Sequence, residues 1–141
     1  MNKEISHGFK DFLYLSSGHF KPHQGAPMHP HKDVDIVSVI HQGAVGHNGT
    51  LGDGELISAP GVQVQRAGIG MQHSEFSVDD NSAEFTQLWF APPKNGLTPD
   101  YQNFTLKEGE LITVLSGQGS SFDSKMLCKV DFLKDMWTLP L

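Results

Sequence analysis

His29-Pro30-His31-Lys32-Asp33-Val34-Asp35-Ile36-Val37-Ser38-Val39-Ile40 carries both the frame and the chemistry of this chain. Pro27 and Pro30 push the backbone toward extended geometry. In an extended segment residues two apart share a face, so His29 and His31 point the same way. Ile36 to Ile40 follows as a β-branched run, apolar on nearly every residue. Such a run suits a central strand packed on both sides or lining a barrel.

Further on, Met71-Gln72-His73-Ser74-Glu75-Phe76 repeats the arrangement. Alternation places Met71, His73 and Glu75 on one face, and Gly68 and Gly70 just before them let the backbone come close to a neighbour. Three imidazoles and one carboxylate can then converge on one ion. That donor set leaves coordination positions open and suits iron, manganese, nickel, copper or zinc rather than calcium. With 8 His in 141 residues, roughly 0.45 His-x-His pairs arise by chance, so neither half is specific alone. The setting between them gives the pattern its meaning: short strand-like segments separated by turns.

Between the two pairs, Asn48-Gly49 predicts a hairpin turn, and Gly52-Asp53-Gly54 a second turn before Glu55-Leu56-Ile57. Val62-Gln63-Val64-Gln65 is a clean period-2 alternation, read as a strand with one dry and one wet face. Phe85 to Phe90 is the most strand-like segment by residue type, and its aromatics are expected in the core. Phe12–Ser16 and His19-Phe20 read as two brief edge segments, Lys94–Asn103 as an irregular loop, and Leu111–Leu115 and Met126–Leu133 as further strands. His7, His19, His23, His41 and His47 are expected as surface, loop or exposed strand-end residues. Asp35 shares the parity of His29 and His31, so it either orients a ligand or stands in a solvated acidic pair with Asp33.

Composition supports an all-β reading. The chain holds 15 Gly and 8 Pro with 18% charged residues, a turn-rich balance that favours short strands, and its length suits one domain. A net charge of −6 without a Lys/Arg cluster excludes direct binding to nucleic acid or anionic membrane. No stretch approaches the ~18 apolar residues of a membrane span. Cys128 is the single cysteine, and Met1–Lys10 lacks a signal-peptide pattern, so a cytoplasmic protein is expected. The apolar end Met136-Trp137-Thr138-Leu139-Pro140-Leu141 is expected to dock on its own barrel or on a second subunit, giving a homodimer.

The segment from Gly25 through Tyr101 resembles the pirin family of the cupin superfamily. Its landmarks are His29-Pro30-His31-Lys32-Asp33, the glycine-marked hairpin at Leu51-Gly52, Ala67-Gly68-Ile69-Gly70-Met71-Gln72-His73-Ser74-Glu75, Gln87-Leu88-Trp89, and Asn95-Gly96-Leu97-Thr98-Pro99-Asp100-Tyr101. The resemblance implies a cupin-type double-stranded β-helix, a jelly-roll barrel. It also implies one metal, commonly iron, held by His29, His31, His73 and Glu75. Pirins usually carry a second barrel, so residues 1–141 are expected as one cupin domain with 111–141 as a C-terminal extension or a remnant of a second barrel. Asp35 stands where many relatives have Glu.

The function this implies is that of a metal-dependent dioxygenase resembling quercetin 2,3-dioxygenase, acting with O₂ on a flavonol-like or other small aromatic substrate. Fe(II) is the expected cofactor, with Ni, Cu, Mn or Zn as alternatives, and Glu75 is both ligand and proton acceptor. Met71 and Trp89 are candidates for the pocket wall. The alternative is a non-enzymatic metal-binding module that responds to redox state and docks on transcription factors; a third reading is a barrel whose ion is purely structural, although three His and one carboxylate are rarer for structural zinc than Cys-rich sites.

Overall fold

The computed structural model describes residues 10–115 and 128–131. They form β1 (Phe12–Phe20), β2 (Gly25–His31), β3 (Asp35–Gln42), β4 (Ala44–Gly49), β5 (Glu55–Ser58), β6 (Gly61–Arg66), β7 (Met71–Ser77), β8 (Ala83–Phe90), β9 (Asp100–Thr105), β10 (Leu111–Leu115) and β11 (Cys128–Asp131). Among the described residues there is no helix, so none that could cross a membrane. One sheet runs β1-β8-β3-β6-β9, a second runs β2-β7-β4-β5, and β10 pairs with β11. Every pairing is antiparallel. This is the all-β architecture that the residue pattern predicts, in the cupin-like form that the resemblance implies.

The β-branched run lands where its composition requires. β3 lies at the centre of the larger sheet, between β6 and β8, and Ile36, Val37 and Ile40 are buried. Its two faces serve different layers. Val37 packs with Val62, Val64, Phe90, Leu106, Val114 and Leu115. On the other face Ile36 joins Val34, Ala67, Met71 and Trp89, while Ile40 joins Val45, Ile57 and Ala83. Met71, Val45 and Ile57 come from the smaller sheet, so these two clusters tie the sheets together at either end of the interior.

Several local expectations change in the folded chain. Phe12–Phe20 is one continuous edge strand: Gly18 does not break it but makes room for the Phe85 ring across the pair, 2.8 Å from where a Cβ would stand. Part of the expected loop at Lys94–Asn103 is β9, paired with β6. Asn48 and Gly49 lie inside β4, and the hairpin turns at Gly52 and Gly54, whose φ values of 60° and 75° only glycine adopts freely. Gly49 has a different task. It sits opposite His73, where a Cβ would lie 2.2 Å from the Gln72 carbonyl oxygen. Gly49→Ala is therefore expected to pry β4 from β7 and cost about 1–3 kcal/mol, read as a lowered urea midpoint.

Val62 to Gln65 does alternate, but its polar face is the barrel interior: Gln63 and Gln65 are as buried as the valines. Asp35 is neither solvated nor beside the histidines. β2 ends at His31, Asp33 turns the chain at φ 49°, and Asp35 starts β3 opposite Arg66. There its carboxylate accepts two hydrogen bonds from the guanidinium, at 2.8 Å from Nε and 2.7 Å from Nη2. The apolar end, Met136–Leu141, lies outside the described residues, as does His7.

Candidate metal centre

The two ligand pairs are brought together by strand register. β2 and β7 are neighbours in the smaller sheet, and His29 pairs directly with His73 while His31 pairs with Met71. Directly opposed residues project to the same side. The sequence arranges this locally through alternation on β7, where Met71, His73, Glu75 and Ser77 are buried, and through Pro30 on the edge strand, where a missing N–H is tolerated.

The donor atoms of His29, His31 and His73 all lie within 4.8 Å of one another. Their rings meet nearly edge to face, with centroids 4.5 Å apart for His29 and His73 and 4.8 Å for the other two pairs. His29 Nε2 and His73 Nε2 are 3.0 Å apart. Two nitrogens bound at ~2.1 Å and at right angles about one ion stand roughly 3.0 Å apart, so this spacing fits a shared metal. His29 Nδ1 donates to the Pro27 carbonyl at 2.7 Å, which leaves its Nε2 lone pair facing the cluster.

Glu75 is on the same inward face but stands outside that group of three. Its carboxylate accepts a hydrogen bond from Gln65 Nε2 at 3.2 Å. Burial raises its pKa, against which the charges of His47 and His29 and hydrogen bonds from Gln65 and Gln87 act. With Phe20, Ser38, Ile40, Val45, Phe85 and Gln87 it lines a narrow recess that has no room for water.

The imidazoles of His31 and His73 are held against protonation. Burial first, and the charge of His29 second, lower the pKa of His31 to about 4; burial, with the charges of His29, His31 and His47, lowers that of His73 to about 3. An unfolded chain protonates its histidines near ~6.5. Between the two ranges the unfolded state binds more protons, so stability is fully present above the unfolded value and falls as pH drops toward about 4. The metal-free protein should lose on the order of 5 °C of thermal midpoint between pH 7 and pH 4.5, and His73→Leu should lose less. Parallel curves for the two proteins would contradict the shift.

His47, expected at an exposed strand end, is fully buried. It lies opposite Glu75 on β4, and its Nε2 is 3.0 Å from His73 Nδ1 and 3.1 Å from Gln65 Oε1. Gln65 in turn donates to Gln63, which donates to Tyr101 Oη at 2.8 Å. One signal was available for this missed group: His47 is an even number of residues from Val45, a core position on the same strand. His41 is exposed as expected, and its Nε2 lies 2.7 Å from Thr86 Oγ1; His23 is exposed and pairs with Asp80.

Outside the triad, a cavity of about 300 Å³ is lined by Pro30, His31, Lys32, Thr50, Gly70, Met71 and Gln72. Trp89 stands edge-on to His31 at 5.2 Å, and its Nε1 donates to Gln87 Oε1. Met71 thus lines the cavity as expected, and Trp89 braces the histidine beside it.

Fold and histidine cluster together define a cupin-type β-barrel with a metal-binding geometry at its interior. The pirin family model matches residues 4–90. The chain belongs to the pirin family. A quercetin 2,3-dioxygenase of Escherichia coli K12 is 32% identical over 96 residues, covering 67% of this chain and 42% of the relative. A pirin-like protein of Caulobacter vibrioides is 30% identical over 107 residues, covering 73% and 46%. The crystal structure of the bacterial pirin YhhW from Escherichia coli in complex with nickel(II) matches with a TM-score of 0.74 at 31% identity, over 80% of this chain and 51% of that one. The chain spans less than half the length of these curated relatives.

Proposed function

We propose that His29, His31 and His73, with Glu75 as fourth ligand, hold one divalent transition metal ion, and that the chain is a dioxygenase of the quercetin 2,3-dioxygenase type. Iron(II) is the favoured ion, with nickel, copper, manganese and zinc as alternatives. The observation that carries the reading is the mutual approach of three imidazole donors within 4.8 Å. The name of the Escherichia coli relative and the nickel of YhhW point the same way.

When bound, the ion supplies Lewis-acid polarisation of a substrate hydroxyl and an electronic link to O₂. The chain's residues do the rest. His29, fixed by the Pro27 carbonyl, presents a bare nitrogen without rearrangement, and His73 Nε2 stands 3.0 Å from it. Glu75, its pKa raised by burial, is suited to take up the proton of an aromatic hydroxyl. Met71 and His31 form part of the wall against which a flat ring lies.

A second reading has one observation in its favour: a cavity of about 300 Å³ is at the small end for a ligand pocket. In that reading the chain is a non-enzymatic metal-binding module that docks on a protein partner and responds to redox state. Oxygen uptake with a flavonol separates the two. Iron-, nickel- or manganese-loaded protein should consume O₂ with the flavonol, and His73→Ala should not. Bound metal with no uptake for any flavonol would leave the binding module as the better account.

A further inference from the structure

We infer that His47 is a positioning residue for this centre: by accepting a hydrogen bond from His73 Nδ1–H it holds the His73 ring in the tautomer that leaves Nε2 bare toward His29. The inference rests on the proposed centre. Counting hydrogens gives the reason. The Pro27 carbonyl can only accept, so His29 carries its hydrogen on Nδ1 and its Nε2 is bare. His73 Nε2, 3.0 Å away, can ligate alongside it only if the His73 hydrogen is on Nδ1. The atom facing that Nδ1, at 3.0 Å, is His47 Nε2.

His47 is itself set to accept. Its Nδ1 lies 3.1 Å from the Gly52 carbonyl oxygen, which can only accept and also takes the Glu55 N–H, so a neutral His47 that donates to it has its lone pair on Nε2. The remaining neighbour is the Gln65 amide, whose Oε1 stands 3.1 Å from the same nitrogen. For His47 to accept there, that amide turns over and gives up its hydrogen bonds to Gln63 and Glu75. Gln63 then turns with it, donating to Gln65 and accepting from Tyr101 Oη–H, and the Glu75 carboxylate is released toward the metal. The ring cannot swing away. It is fully buried, tilted against Tyr101 with centroids 4.9 Å apart, and Tyr101 in turn packs on Gly52, where a Cβ would be 2.6 Å from Cζ. The turn that closes the β4–β5 hairpin therefore sets the nitrogen that orients a ligand on β7.

The test uses the full chain loaded with cobalt(II), with affinity measured by chelator competition and imidazole N–H protons followed as hyperfine-shifted NMR signals. Wild type should show two slowly exchanging N–H signals, from His29 and His73. His47→Phe, which keeps a ring against Tyr101 but cannot accept, should lose one of them and bind cobalt about 10–100-fold more weakly. His47→Gln, whose amide oxygen can stand where Nε2 does, should keep both signals and bind within about threefold of wild type. His47→Leu serves if His47→Phe does not fold. Unchanged affinity and both signals in the Phe or Leu variant would overturn the inference, as would equal weakening in the Gln variant, which marks a packing role. Wild type that takes up no cobalt, or His73→Ala that binds it equally well, would instead overturn the centre itself, and the inference with it.

Discussion

His73→Ala protein is expected to lose more than about a hundredfold in metal affinity, beyond the cost of removing any outer-shell partner, while keeping its β-structure. His73 is the hub of the cluster. Its Nε2 faces His29 Nε2 and its Nδ1 faces His47 Nε2, each at 3.0 Å, and its ring touches those of His29, His31 and His47. Without it, His29 and His31 remain on an edge strand with only Glu75, which stands outside the histidine cluster, to complete a site. The apolar clusters that join the sheets contain none of these histidines, so the fold should survive. Calorimetric titration with nickel or manganese, with circular dichroism alongside, checks both halves. Undiminished affinity would remove His73 from the centre, and an unfolded variant would mean that the imidazole cluster supports the barrel.

Asp35→Ala should be the most destabilising single change in the larger sheet, by about 3–5 kcal/mol. The carboxylate is fully buried, and it receives both arms of the Arg66 fork across the β3–β6 pair. Removing it takes a compact counter-charge from a guanidinium that is itself buried. Breaking such a pair costs far more than the pair contributes relative to an apolar replacement, so Asp35→Leu combined with Arg66→Met should recover much of the loss. Urea unfolding of the single and double variants measures both. A single variant within about 1 kcal/mol of wild type would mean that Arg66 finds equal compensation elsewhere.

Much of the frame was legible because it rests on short-range rules. The β-branched run at Ile36–Ile40 demanded a buried central strand, and the alternation of Met71, His73 and Glu75 set one inward face. The convergence of His29, His31 and His73 followed from two such faces meeting. What stayed hidden depends on what a face looks toward. Gln63 and Gln65 read as a wet face because polar alternation is ordinarily solvent-facing, yet both are buried, Gln65 meeting His47 and Glu75 across the interior and Gln63 meeting Tyr101. His47 read as a hairpin end because Asn48-Gly49 carries the stronger turn chemistry, whereas the chain continues two residues as strand and turns on Gly52 and Gly54. Asp35 kept the parity of the histidines on paper, but the left-handed Asp33 between β2 and β3 breaks that parity.

Glu75 shows the same limit from the other side. Alternation put it on the face of His73, and it is there. Which neighbour its carboxylate engages depends on Gln65, from the opposite sheet, and no pattern along β7 encodes that contact.

The most direct measurement is anomalous X-ray diffraction at the absorption edge of the metal from crystals of the chain loaded with nickel or iron. A single peak among His29 Nε2, His31 and His73 Nε2, with the Glu75 carboxylate within bonding distance, is the predicted result. A peak elsewhere, or none at these histidines in fully loaded crystals, would contradict the metal centre on which the functional account stands.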